Sequence, residues 1–426
     1  MFDPQKFCEF SEKRNEVSIK NGNNILATAF KNRRLALNLT LDQVTKDICS
    51  KAYLCKFENN QITIDDKVAR VLCERVSLDF EKIKRINQDN SLNQAIHMLL
   101  FNQFDQIDGL AQSLNIDCFV ASNKLVELIN CLVHNEFERC EELIYNIDKV
   151  RSTLTEYEFV CFGILICEYY IRTNQFIKAR NFIAKFKCDI SFKDLKFLYL
   201  EQCFNVYFNL EEKNDAFSSY HLLEKEFNNG FPKKREFLNK IHFLELFSSS
   251  QTLIELKDML DDFIPEEYIS EYWYTYCLCL IKIGEYNQCM QLIHKYEFIE
   301  ARFVALYVYS SMEVSKLTRS YSSKDNPSKK LSTKTIAIMN NLVEKMEKNH
   351  HNIIDRNFIK LMQLELVGES KEELVNYIRE IALKYDKLYQ HRFYSYVYTH
   401  HLFDLLGSMT RYKEAYLIAK SDRTFK

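Results

Sequence analysis

A chain of 426 residues with only seven Gly and four Pro has few means of reversing direction between β-strands. Hairpin turns depend on Gly, Asn-Gly and Pro punctuation, whereas a helix needs a single permissive residue just past its end. The scarcity therefore predicts an all-α protein. Hydrophobic residues make up 47% of the chain, with 32 Phe and 25 Tyr, which is ample material for a long core. The fourteen Cys stand singly, form no CxxC pair, and follow no signal-like N-terminus, so they read as reduced thiols packed as small apolar groups. The longest apolar runs, such as Tyr274–Ile283, are too short and too polar to span a bilayer. The expectation is a cytoplasmic protein with no membrane contact.

From Ser91 onward a turn signal recurs: Asn or Gly, any residue, Phe or Tyr, two residues, then Ala or Cys. It reads NEFERC at Asn135–Cys140, NQFIKA at Asn174–Ala179 and GEYNQC at Gly284–Cys289, with a weaker TRYKEA at Thr410–Ala415. Degenerate copies fall near Lys213–Ala216, Phe247–Gln251 and Gly368–Lys371. In each copy the turn residue ends a first helix and the aromatic residue packs at the start of a second. The small residue lets the two helices approach closely. One such hairpin cannot bury its apolar face alone, so neighbours stack. Residues 91–426 are read as a right-handed tetratricopeptide-like α-solenoid of about eight helical pairs. Its one polar interruption, Thr318–Thr333, is expected to be a mobile loop.

Residues 25–85 form a different unit, preceded by an N-terminal extension, residues 1–24, that carries Phe2, Phe7 and Phe10. A first helix, Ile25–Asn38, turns Leu26, Phe30 and Leu37 inward. Thr40 and Gln43 make a capping box for a second helix with Leu41, Val44 and Ile48 on one face. Cys49 and Ser50 make a tight turn, and Ser50 caps a third helix with Leu54 and Phe57 inward. Gln61–Asp66 is a turn, and Val68, Val71, Leu72 and Val76 mark a fourth helix. Two short capped helices joined by a turn are the form that presents a helix N-terminus to a DNA major groove. Charge agrees with this placement. Residues 25–90 carry twelve Lys and Arg against nine Asp and Glu, whereas residues 91–426 carry 41 against 46.

The candidate DNA-facing residues are Arg33, Thr40, Ser50, Lys51, Ala52, Tyr53 and Lys56. Lys51 is best placed to donate to guanine O6 and N7, and Arg33 to reach a phosphate.

The segment SKAYLCKFENN, with ICS before it and ITIDDKVARVL after it, resembles the DNA-binding domain of the Rgg/PlcR-type regulators, within the broader Xre-like helix-turn-helix class. The whole layout is similar to peptide-pheromone receptors of the Rgg, PlcR, PrgX and NprR kind. The resemblance implies a cytoplasmic transcription regulator controlled by a short signalling peptide. It also implies that Arg34 pairs with Glu58 to hold the first and third helices together. Three departures stand out. Leu41 replaces a Gln that commonly touches phosphate, Asn60 replaces a helix-ending Gly, and residues 1–24 have no counterpart.

The first helix of each pair would line the concave face. Asn satisfies both groups of a peptide backbone from one side chain. Asn205 and Asn209 share a helix face, as do Asn123 and Asn130, and Tyr169, Arg172, Tyr276 and Tyr307 add stacking or charge. Asn130, Tyr169, Arg172, Asn205, Asn209, Tyr276 and Tyr307 are the candidate peptide-binding residues. One small recognition unit rarely supplies enough affinity, so a homodimer on a pseudo-palindromic operator is expected. His350–His351 and His400–His401 lack the spacing of a zinc site, and no phosphate-binding glycine loop or nucleophile–base set is visible. No metal, cofactor or catalytic residue is expected. The rival reading is a repeat-scaffold adaptor that inhibits a signalling protein without reading DNA.

Overall fold

Helical pairs closed by one repeated backbone turn organise the computed structural model of the chain. It describes residues 2–16, 25–59, 61–81, 83, 90–114, 120–186, 190–228, 230–261, 264–296, 300–321, 353–383 and 392–421. These residues are helical throughout, without a β-strand among them. They fall into two compact units, Met1–Lys233 and Lys234–Lys426. The predicted all-α class holds.

The first unit opens with α1 (Pro4–Glu16). Four short helices follow: α2 (Ile25–Ala36), α3 (Leu41–Thr45), α4 (Lys51–Glu58) and α5 (Asp66–Arg75). Then come the pairs α6 (Ser91–Leu100) with α7 (Phe104–Ser113), α8 (Ala121–Val133) with α9 (Phe137–Asp148), α10 (Glu156–Arg172) with α11 (Phe176–Lys185), and α12 (Lys193–Asn209) with α13 (Lys213–Phe227). Successive first helices pack on one another, α6 on α8, α8 on α10 and α10 on α12.

The second unit holds α14 (Lys233–Leu246) with α15 (Ser250–Asp261), α16 (Ile269–Lys282) with α17 (Tyr286–Lys295), and a longer α18 (Ala301–Tyr321). It continues with α19 (Ile353–Val367) and α20 (Lys371–Tyr377), the latter extended by a π-type turn at Ile378–Ala382. It closes with α21 (Arg392–Ser408) and α22 (Tyr412–Ser421). Eight complete pairs are thus present among the described residues. Of the expected loop Thr318–Thr333, Thr318–Tyr321 belong to α18; residues 322–333 lie outside the described residues.

Seven of the eight pairs turn the same way. Asn102, Asn135, Asn174, Glu211, Gly284, Gly368 and Thr410 each take positive φ, between 55° and 85°. Each donates its amide to the carbonyl three residues back, and the next residue donates to the carbonyl five before it: Gln103 to Met98 (2.9 Å), Glu136 to Cys131 (2.9 Å), Gln175 to Tyr170 (2.7 Å). This paired closure satisfies carbonyls that a helix end otherwise leaves open. Asn tolerates the left-handed conformation, which is how the array manages with so few Gly. The small residues Cys140, Ala179, Ala216, Cys289 and Ala415 are all buried, as the spacing predicts. The α14–α15 turn is the exception. There Ser249 accepts the Thr252 amide at 3.1 Å instead.

The helices α2–α5 close around Ala27, Phe30, Val44, Leu54, Phe57, Ala69, Leu72, Cys73 and Val76. Several boundaries differ from the sequence reading. α2 stops at Ala36 because Asn38 turns left-handed (φ 53°), leaving Leu37 exposed rather than inward. α3 stops at Thr45 because Asp47 does the same (φ 63°), so Ile48 belongs to the turn, which spans residues 46–50. Val71 lies on the exposed side of α5.

The N-terminal extension contains a docked helix. Phe7 of α1 is fully buried, its ring 4.9 Å from that of Phe159 and 5.4 Å from that of Phe162, with Phe182 and Phe186 completing the cluster. Gly163 makes room for it. A Cβ there would come within 2.2 Å of the Phe186 ring.

Candidate nucleic-acid interface

The outer face of α4 owes its position to caps at both short helices. Thr40 accepts the Gln43 amide at 3.3 Å while the Gln43 side chain accepts the Thr40 amide at 2.7 Å, which is the expected capping box. Ser50 accepts the Tyr53 amide at 3.2 Å and starts α4. Leu54 and Phe57 then point into the core, while Lys51, Ala52 and Lys56 are exposed and Tyr53 is half-buried.

Buried chemistry fixes this element from behind. Arg34 meets Glu58 through two hydrogen bonds, Nε to Oε1 at 2.6 Å and Nη2 to Oε2 at 2.7 Å, and its third arm donates to the Leu39 carbonyl at 2.8 Å. Arg34 is 8% exposed and Glu58 3%. Bidentate geometry satisfies both charges, which a buried pair requires. Arg75 of α5 donates to the Val44 carbonyl at 3.2 Å and also to that of Lys46, holding the last turn of α3. Sequence reasoning missed Arg75; a cation in the last turn of the fourth helix was its only signal.

Two of the candidate DNA-facing cations have partners within the protein. Lys51 pairs with Asp42 of α3 at 2.9 Å, both well exposed, so solvent competes freely for the contact. Arg33 donates Nε–H to the Val76 carbonyl at 3.0 Å. Asn60 lies outside the described residues.

The candidate peptide-binding residues divide between the units. In the first unit, Tyr169 is buried and donates to Glu141 at 2.5 Å; burial and that carboxylate push its phenol well above the ordinary range. Arg172 binds Glu168 at 2.7 Å and the Leu132 carbonyl at 3.1 Å. Asn209 donates to the Asn205 side chain at 2.6 Å, so these two satisfy one another. Gln202, absent from the sequence reading, donates to Ile164 and Glu168 from one buried side chain. α6 packs against both α8 and α12, and the acceptor oxygens of Asn123, Asn130 and Gln202 are buried without a donor.

In the second unit, Tyr276 and Tyr307 are 5% and 8% exposed, core residues rather than an open lining. A larger ionic network sits among its first helices. Glu245 of α14 contacts Arg392 of α21 and accepts from Lys282 of α16 at 3.4 Å. Burial drives its carboxyl up, but the charges of Arg392, Lys282 and His242 outweigh burial and hold it below the ordinary value. Glu271 accepts from Arg302 at 2.7 Å; here too burial is outweighed, by His242 and Arg302, and the carboxyl falls to about 2. Glu271, the single Glu of the apolar α16, was the sequence signal for this network; Glu245, in the charge-rich α14, carried none.

Cys277 packs against Cys289 while Cys279 lies beside Ser248, in separate environments. The contact with Cys289, and then burial, raises the Cys277 thiol, and burial raises Cys279 to about 11. His400 is exposed and His401 faces Glu365 at 3.2 Å; His350 and His351 lie outside the described residues. Among the described residues no cluster of His, Cys, Asp and Glu is arranged to hold a metal, and no helix is long and apolar enough to cross a membrane. Compared with known protein families, curated proteins and solved structures, the chain matches none.

Proposed function

We propose that the chain is a DNA-binding transcription regulator of the helix-turn-helix type, acting in the cytoplasm. Residues 25–85 form its DNA-reading unit, and a right-handed tetratricopeptide-like array senses a short peptide. The observation that carries this reading is α4 itself. It is an eight-residue helix capped by Ser50, anchored behind by Leu54, Phe57 and Glu58, with Lys51, Ala52 and Lys56 left outward. A recognition helix needs that combination of fixed back and polar front. The resemblance of SKAYLCKFENN to the Rgg/PlcR-type regulators supports the same assignment.

Lys51 would exchange Asp42 for a guanine or a phosphate on binding. The array supports a peptide-sensing role through Asn123, Asn130 and Gln202, whose buried unpaired oxygens would accept backbone N–H groups from a peptide that displaces α6. A homodimer would place two such helices on a pseudo-palindromic operator. The peptide would favour one arrangement of the dimer over another.

Fluorescence anisotropy of the protein against the DNA upstream of its own gene, with a scrambled duplex as competitor, tests this reading. A regulator shows a steep fall of affinity with salt, a log–log slope of about −0.9 for each phosphate contact. Lys51→Ala with Lys56→Ala abolishes the preference for the specific duplex. Equal weak binding of both duplexes by both proteins refutes it and favours the adaptor reading.

A further inference from the structure

We propose that the Arg151–Leu154 turn is a joint through which α1 acts as a strap, holding the α2–α5 unit on the first helical pairs. The turn connects α9 to α10 and is short and 3-10 helical over Arg151–Thr153. Three consecutive residues of it are taken from two sides. Ser152 Oγ receives Lys31 Nζ at 2.7 Å and donates to Asn59 Oδ1, just past the end of α4, at 3.0 Å. The Thr153 carbonyl accepts from Thr28 of α2 at 2.9 Å. The very next carbonyl, that of Leu154, accepts from Arg14 of α1 at 2.8 Å.

Arg14 is committed to this place. Its side chain is 3% exposed, its Nε lies 3.0 Å from Glu156, and its guanidinium sits 4.7 Å above the Phe159 ring. Arg151 in turn covers Phe10 of α1. The Phe7 cluster anchors the other end of the strap, between α10 and α11.

Adjacent peptide groups of one turn cannot move independently, so the docking of α1 and the docking of α2 stabilise each other. The coupling is reciprocal, as any coupling between two binding equilibria must be. The apolar contact beneath α2 is modest, Ala29 with Ile83 and Val120 and the partly buried Leu26 and Leu78 packed against them, so these polar contacts contribute to fixing the unit. Detaching α1, by a partner or a modification, would then loosen the α2–α5 unit without altering its own core. The proposal stands whether or not that unit reads DNA.

Hydrogen exchange of the full chain tests it, comparing wild type with Arg14→Ala and with Phe7→Asp. Exchange of α1 amides rises in both variants, and exchange in α2 and around Asn59 rises at least about tenfold, the effect of losing one charge-assisted hydrogen bond. Amides of α12 keep their protection, which shows that the array remains folded. A Lys31→Met chain supplies the reciprocal arm: α1 amides exchange faster although α1 itself is unaltered. If α1 is released while α2 and Asn59 stay protected, or if Lys31→Met leaves α1 unchanged, the joint is refuted. If Phe7→Asp unfolds the array, the Arg14→Ala and Lys31→Met results decide.

Discussion

Replacing Glu58 with Ala removes one half of a pair that is almost wholly buried, with Arg34 at 8% exposure. Two charge-assisted hydrogen bonds disappear, each worth about 1.5–3 kcal/mol. The guanidinium keeps only its contact to the Leu39 carbonyl and is left as a buried, uncompensated charge. Breaking a buried pair from one side costs about 3–5 kcal/mol. For a cooperative unit the size of Met1–Lys233, that corresponds to a Tm lowered by about 6–20 °C. Lys51→Ala breaks an exposed pair and changes stability by less than about 1 kcal/mol. Differential scanning calorimetry separates the two. The double variant Arg34→Met, Glu58→Leu recovers most of the loss, because the unpaired charge is gone. Equal losses for Glu58→Ala and Lys51→Ala, or no recovery in the double variant, would refute the division between an anchoring pair and a contact surface.

Three further outcomes follow from the geometry. Gly163→Ala drives a Cβ into the Phe186 ring and costs about 1–3 kcal/mol of strain, only partly offset by the ~1 kcal/mol helical preference for Ala; unchanged thermal stability would show that the ring moves freely. Asn174→Gly is tolerated, whereas Asn174→Val costs about 1–2 kcal/mol at a φ of 56°; denaturant melting that finds the two alike would remove the left-handed turn from the account. Glu271 titrates near 2 instead of 4.5, so its stabilisation is complete above about pH 4.5 and fades as the pH falls towards 2. Arg302→Met should flatten that acid limb of the unfolding curve, and an unchanged limb would place the acid sensitivity elsewhere.

The repeat was legible because a helix end is a local problem with a local solution. Asn135, Asn174 and Gly284 announce it through residues that accept positive φ, followed by an aromatic and a small residue. The same turn at Asn102 escaped because Ile107 stands where Ala or Cys was sought, and the turn at Glu211 showed only as the degenerate copy Lys213–Ala216, because Glu is not a customary turn residue and Lys213 stands where the aromatic was sought. Periodicity placed Leu37 inside because it keeps helical register, yet it lies beyond the helix end set by Asn38; Ile48, beyond the end set by Asp47, still packs against the core from the turn. The Arg34–Glu58 pair was legible through resemblance, spanning only 24 positions. Arg14 and Glu156 are 142 positions apart, and nothing local to either marks the other. The candidate peptide face fared similarly. Helical spacing finds which residues share a face, but α6 covering α8 and α12, and the burial of Tyr276 and Tyr307, are matters of tertiary packing.

Selection of duplexes from a random-sequence pool by the full-length protein, followed by sequencing of the bound fraction, tests the central claim most directly. The account predicts an enriched motif of two inverted half-sites, centred about 10–10.5 base pairs apart or a multiple of that, which disappears with Lys51→Ala and Lys56→Ala. A bound pool as random as the input, or an enrichment indifferent to those two lysines, would contradict it.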